Sequence, residues 1–279
     1  MRPVGCLVGL VILVGCGRGG GAPDRRTPVA PLVPATGRCA EQLVGAGPVA
    51  CPYPATSRDR PGDLATPFER GGTCESAGLL RVTSGRVVAC DPLVSLQTDA
   101  FTQTIPRGAY PVLLATHDGD VTHALLRVGE ARPVRWAQAL LPGEVAQPCR
   151  VYRYSVDSGT GAYVDADAAR TVRERDDAIR TWCAADTSKR VSPADADAWH
   201  AAMTACEAGF GPDLYQQLRA AGYARARWAN GCVDAATGAN LIVFSSGAGD
   251  GAYPVFIGYA ADGTVVALVT DFELDADAP

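Results

Sequence analysis

Between Leu79 and Phe272 the chain is written in short apolar, β-branched runs broken by Gly, Asp or Pro, and this punctuation constrains the fold more than any other feature. Residues 79–82 and 86–90 flank Thr83-Ser84-Gly85, which reads as a hairpin with a glycine-bearing turn. Residues 109–116, 121–128 and 134–141 are separated by Asp118-Gly119-Asp120 and by 129–133, and read as consecutive antiparallel neighbours. Residues 150–156 and 162–164 flank Asp157-Ser158-Gly159-Thr160-Gly161 and read as another hairpin. Strands return at 224–232, 240–246, 253–260 and 264–272, with Asp262-Gly263 as the turn between the last two.

Inside this series the hydrophobic period changes once. From 165 to 185 the apolar positions Ala168, Val172, Ile179, Trp182 and Cys183 recur at three and four, behind an Asp able to cap free amides. Ser192-Pro193-Ala194-Asp195 supplies an N-cap, a first-turn proline and an acid for a second helix, whose Trp199, Met203, Cys206 and Phe210 share a face. A third short helix spans 212–221 and stops at Gly222. The fold class expected is therefore α+β, a mainly antiparallel β-sheet of about nine or ten strands with a late helical insertion.

Upstream the grammar differs. Arg2, a short apolar run and Leu13-Val14-Gly15-Cys16 have the form of a lipoprotein signal peptide with its lipobox, in which Cys16 is acylated after cleavage. The run is shorter than the ~20 residues of a spanning helix. The expectation is a signal peptide at 1–15, a lipidated Cys16 with a Gly/Pro-rich tether at 16–37, a Cys/Pro-rich loop layer at 38–78 and an α+β globular domain at 79–279. Regular structure is expected to begin at Leu79. The address implied is the cell envelope outside the cytoplasm, on the outer membrane if the host has one, with the lipid bilayer as partner through Cys16.

In such a compartment the remaining cysteines are disulfide candidates: Cys39, Cys51, Cys74, Cys90, Cys149, Cys183, Cys206 and Cys232. If the first two helices run antiparallel, Cys183 and Cys206 both lie near carboxyl ends, so these two are not expected to pair. No Cys-x-x-Cys and no Cys/His pair at zinc-ligand spacing occurs, so neither metal nor cofactor is expected. His117, His123 and His200 are scattered, and only the first two lie close enough to meet across a hairpin. With 25 Lys and Arg against 30 Asp and Glu, the net charge of -5 and the spread of the arginines argue against nucleic acid.

Val156-Asp157-Ser158-Gly159-Thr160 has the form of an aspartic-peptidase active-site turn, where two carboxylates share a proton and activate water. No second copy exists in the chain, so that chemistry requires a dimer, and the same residues are what a β-turn favours. The Gly-rich segment 245–253 precedes a strand, which disfavours a nucleotide site. No Gly-x-Ser-x-Gly elbow is present.

Taken in order, SGRVVACDPL at 84–93, PRGAYPV at 106–112, VDSGTGAYVDADA at 156–168 and FSSGAGDGAYPVFIGYAADGTVVALVTDF at 244–272 resemble an uncharacterised bacterial family, domain of unknown function 4241. The resemblance covers about two thirds of the chain and brings no established activity with it. It departs at Ala248, where the family tends to carry an aromatic residue. It implies Asp157, Asp250, Tyr253 and Asp271 as candidate binding residues, with Asp157 and Asp250 also the carboxylates to test for catalysis.

The function expected is a non-enzymatic, membrane-anchored binding domain that recognises an envelope or secreted protein. The alternatives are a hydrolase of aspartic-peptidase type using Asp157 in a dimer, and a protective partner of a toxin.

Overall fold

In the computed structural model the described residues are 38, 41–42, 45–53, 63–69, 71–146, 152–210, 214–220 and 222–274. The expected leader at 1–15, Cys16, the expected tether at 17–37, Cys39 and Cys149 lie outside them. Among the described residues twelve strands form two sheets, and every strand pairing is antiparallel. The larger sheet has the order β1 (Gly47–Val49), β2 (Cys74–Val82), β4 (Gly108–His117), β5 (Asp120–Arg127), β12 (Val265–Asp271), β11 (Gly251–Tyr259). The outer edge of β11 is shared by β6 (Arg135–Gln138) along 256–259 and β7 (Arg153–Val156) along 251–254. The smaller sheet runs β3 (Val87–Cys90), β8 (Thr160–Asp165), β10 (Ala239–Ser245), β9 (Trp228–Asp234).

Period-two alternation places successive side chains on opposite faces, and here both faces of both sheets are buried along the central strands. Val112 and Leu114 of β4, Leu126 of β5 and Leu268 of β12 meet Tyr163 of β8 and Ile242 and Phe244 of β10 in the central core. Leu113, Ala115, Leu125, Ala267 and Val269 point the other way, onto a layer of Cys51, Tyr53, Ala65 and Phe68. On the smaller sheet Val88, Ala162, Val164, Leu241 and Val243 point outward onto Ala168, Ala169 and Val172 of α1 (Ala166–Thr187) and Leu218 of α3 (Leu214–Ala220). The result is four layers, the amino-terminal segment, two sheets and helices. Unbroken runs such as Leu241 to Phe244 are apolar throughout because neither face meets water.

Several sequence expectations are corrected. Residues 79–82 and 86–90 do not form a hairpin: β2 belongs to the larger sheet and β3 to the smaller. Residues 150–156 and 162–164 do not either, since β7 pairs β11 and β8 pairs β3 and β10. Both turns are arches that carry the chain across the core. β6 pairs β11 and not β5, while the 109–116/121–128 and 253–260/264–272 hairpins form as read. Regular structure begins before Leu79, at β1 and at Cys74 in β2. The second helix, α2 (Ala196–Ala208), is capped by Asp195, whose Oδ1 accepts the Ala198 amide at 3.1 Å, and not by Ser192. Residues 223–226 form a helical turn, α4 (Tyr223–Ala226), ahead of β9.

The cysteine correction has a geometric cause. Cys183 and Cys206 are bonded to each other, with Cα atoms 5.7 Å apart. Backbone turning continues beyond α1, with the Arg190 and Val191 amides both donating to the Thr187 carbonyl at 2.9 Å. At ~1.5 Å per residue, Cys183 therefore lies about 12 Å before the reversal and Cys206 about 16 Å after it, at similar heights on an antiparallel hairpin. Cys51 pairs with Cys74, and Cys232 is also disulfide-bonded. Cys90 is free and buried. Strand alternation turns it into the outer core beside Leu96, Ala162 and Ala168, and burial, with Asp91 next to it, pushes its thiol well above the ordinary range.

Candidate functional site

The two arches share a construction but sit at opposite ends of β8, and the candidate residues gather at the second. At the first arch, Thr83-Ser84-Gly85, the buried Asp165 carboxylate accepts the Thr83 amide at 3.0 Å, the Ser84 amide at 2.9 Å and both hydroxyls at 2.9 and 2.6 Å. The same carboxylate caps α1 by accepting the Asp167 amide at 3.1 Å. At the second arch, Asp157-Ser158-Gly159, the acceptor is Asp91, which is fully buried. Its Oδ2 takes the Asp157 and Ser158 amides at 2.9 and 2.8 Å, and its Oδ1 takes the Ser158 hydroxyl at 2.8 Å and the Leu93 amide at 2.9 Å. Each arch closes on a left-handed glycine, Gly85 at φ +81° and Gly159 at φ +65°, a conformation only glycine adopts without cost.

The loop between β10 and β11 lies against the second arch. Asp250 Oδ1 accepts the Gly159 amide at 3.0 Å, and the Ser246 amide donates to the Gly159 carbonyl at 3.1 Å. Within the loop, the Ser246 and Tyr253 hydroxyls both donate to the Gly249 carbonyl, at 2.7 and 2.8 Å. Tyr253 is buried with its ring edge-on to Phe272 at 5.0 Å, and burial raises its hydroxyl pKa. At the end of β12, Asp271 accepts the Glu273 amide at 2.7 Å and lies 3.4 Å from Nε2 of His123. Glu273 forms a two-pronged pair with Arg153 of β7 at 2.5 and 2.6 Å, which holds its carboxyl below the usual range and raises the guanidinium.

Asp157 and Asp250 are thus on adjoining loops joined through Gly159, Tyr253 braces one of them, and Asp271 is tied to β5 through His123. Asp157 and Asp250 are themselves exposed. A peptidase pair requires two carboxylates sharing a proton out of bulk solvent. The buried carboxylate at this arch, Asp91, instead spends both oxygens on backbone and hydroxyl donors. His117 and His123 do not face each other, because His117 pairs with Asp120 and His123 with Ala115. Sequence reasoning missed Asp91 as an anchor and saw Asp165 only as a helix cap. Their partners lie 66–67 and 81–82 residues away, beyond any local signal.

A second feature lies in the helical layer. The α1–α2 hairpin is pinned by Cys183–Cys206, and α2 buries none of its residues. A cavity of about 140 Å³ opens between the helices, walled by Trp182 and Phe210, floored by Ala202, Ala205 and Gly209, and rimmed by the Asp186–Arg190 pair.

These features define a two-sheet α+β protein in which carboxylate-stapled turns carry the chain between the sheets. The family model described as protein of unknown function, DUF4241, matches residues 80–270, and the chain belongs to that family. No curated protein and no solved structure matches the chain.

Proposed function

We propose that the chain is an extracytoplasmic lipoprotein, anchored to the bilayer through acylated Cys16, whose globular part is a non-enzymatic binding domain for an envelope or secreted protein. The observation that carries this reading is the state of the cysteines: two disulfides close among the described residues and Cys232 is bonded as well, as a protein of an oxidising compartment requires. The second arch supports binding over catalysis. Its buried carboxylate is consumed in holding the arch, so the exposed Asp157, Ala248 and Asp250 are offered on turns whose geometry is fixed before any ligand arrives.

Expression of the full chain with labelled palmitate is expected to yield a labelled, membrane-bound protein, and Cys16→Ser is expected to lose both label and membrane association. An unprocessed, cytosolic chain with free thiols overturns the reading of location. Generic peptide and ester substrates across pH 3–8 are expected to show no turnover; turnover that Asp157→Asn abolishes while the fold persists overturns the binding reading.

A further inference from the structure

The α1–α2 hairpin holds an open crevice that its own side chains do not fill. The first turns of α1 pack on the smaller sheet through Ala168, Ala169 and Val172. Farther along, α1 is buried at Cys183 and Thr187, while α2 buries none of its residues. The Cys183–Cys206 bond, with Cα atoms 5.7 Å apart, fixes the spacing of the two helices at this level. Beside that bond α2 lines the gap with Ala205 and Gly209, which are too small to fill it. A space of about 140 Å³ is left, and its aromatic walls, Trp182 and Phe210, stand edge to face with ring centres 5.3 Å apart. At the rim Arg190 Nη2 donates to Asp186 Oδ2. Their side chains stay 59% and 21% exposed, so the other guanidinium N–H groups and the second carboxylate oxygen are open to a ligand.

We propose that this crevice receives one phenylalanine or tyrosine ring from a polypeptide partner. The inference rests on the binding reading above and names the chemistry bound. Size sets the first limit, since an apolar cavity of about 150 Å³ admits a single benzene ring. The walls set the second. A ring entering between Trp182 and Phe210 meets aromatic edges and faces, which favour another ring over an aliphatic chain of similar area. The rim sets the third. A carboxylate drawn to Arg190 also meets Asp186, and an ammonium drawn to Asp186 also meets Arg190, so a charged ligand gains little from a pair that is neutral overall. A peptide group matches both members: its N–H donates to Asp186 and its C=O accepts from Arg190. A neutral ring flanked by peptide groups is what an aromatic residue within a chain presents. Because the disulfide holds the helices at their spacing before any ligand arrives, little ordering cost falls on the site.

The probe is N-acetylphenylalanine amide, titrated into the purified, oxidised chain and followed by amide NMR. Saturable shifts are expected at residues 182–190 and 202–210, with the strands unmoved. Phenylacetate and phenethylamine, which carry the same ring beside a charge, are expected to bind about tenfold more weakly, the effect of losing one hydrogen bond to a charged group. Ala205→Leu sets a side chain into the crevice and is expected to weaken the amide probe by about tenfold or more, the effect of excluding a buried ring. Ala205 is exposed and leucine is a good helix former, so the fold of this variant is expected to persist. No crevice shifts at up to about 20 mM probe, or equal binding by the leucine variant, overturns the site. Tighter binding of either charged compound overturns the polypeptide occupant in favour of a small molecule. The comparison of probes uses wild-type protein alone, so it stands even if the variant does not fold. None of these readouts involves Cys16 or turnover, so a failure here is distinct from a failure of the palmitate or substrate experiments.

Discussion

Asp91→Asn is the sharpest test of the arch architecture. The carboxylate is fully buried and accepts four hydrogen bonds, from the amides of Leu93, Asp157 and Ser158 and from the Ser158 hydroxyl. Asparagine keeps the shape but turns one oxygen into a donor. With its oxygen toward Asp157 and Ser158, the new amide meets the Leu93 N–H, donor against donor, while the Ser158 hydroxyl reverses to accept. The other orientation sets the amide against two N–H groups, so the first is adopted. One buried N–H is then left unpaired, at ~1–3 kcal/mol, and the surviving bonds lose the extra strength an ionised acceptor gives. The sum is a destabilisation of about 3 kcal/mol, large against a total of ~5–15 kcal/mol.

With a urea slope of ~3 kcal/mol per molar, that destabilisation moves the midpoint down by about 1 M. Asp157→Asn, one residue into the arch but exposed, is expected to stay within ~0.5 kcal/mol of the parent. Exchange of the Asp157 and Ser158 amides is expected to rise in the Asp91 variant alone. A midpoint shift no larger than that of Asp157→Asn refutes the reasoning, because the arch is then held by its strands and not by the buried acceptor.

Three further outcomes follow from single sites. Burial alone would raise the Asp63 carboxyl, but the hydrogen bonds from Trp136, Ala65 and Arg132 outweigh it and hold it below its ordinary 3.8. A depressed folded value means that its contribution is present above the unfolded pKa and is lost as pH falls through the folded one. Trp136 fluorescence is accordingly expected to report loosening of the amino-terminal loop below about pH 4, and Asp63→Asn to remove that dependence. Tyr53 is pushed up to about 12 by burial, against the pull of Arg127 and Arg132, and burial raises Tyr154 and Tyr163 as well. A raised tyrosine value stabilises fully below the unfolded pKa of ~10 and loses that stability as pH climbs through the folded value, so absorbance titration is expected to show these phenols ionising only as the protein unfolds. Removing Cys183–Cys206 by a double serine substitution opens a loop worth about 3 kcal/mol. The cost is expected to fall on amide exchange in α2, with that of β4 and β5 unchanged.

What was legible in the sequence is what local chemistry determines. The Asp262-Gly263 turn, the hairpin at 118–120, the Asp165 cap and the helical block each depend on residues within a few positions. What was not legible depends on distant partners. A strand, a Ser-Gly turn and another strand read alike whether the chain folds back in one sheet or crosses to the next, and the deciding groups, Asp165 and Asp91, lie far along the chain. The continuous apolar runs at 87–90, 112–115 and 241–244 carried the missing signal, since a strand apolar on both faces needs a cover on both. The Cys183–Cys206 pairing escaped because it turns on the height of the reversal between two helices, which is set by backbone bonds at 188–191. At the candidate site the buried carboxylate that fixes the arch, Asp91, was not among the four residues named from the sequence, because its amide partners at 157 and 158 lie 66 and 67 residues away.

The paired arches also account for the motif that looked most like catalysis. Ser84 and Ser158 occupy equivalent places, each giving both its amide and its hydroxyl to one buried carboxylate. Each is followed by a glycine in the left-handed region, which turns the chain toward the other sheet. The first arch has Thr83 where the second has Asp157, and both residues donate their amides to the same carboxylate as the serine that follows. The Ser-Gly step is therefore what crossing between the sheets demands, and the residue before it is constrained only through its backbone. At the first arch the Thr83 hydroxyl is drawn inward to Asp165. At the second an inward carboxylate would meet the Asp91 charge, so the Asp157 side chain is directed to solvent, where it is exposed. The position that resembles a catalytic aspartate is in this fold the one arch side chain whose chemistry the arch does not use.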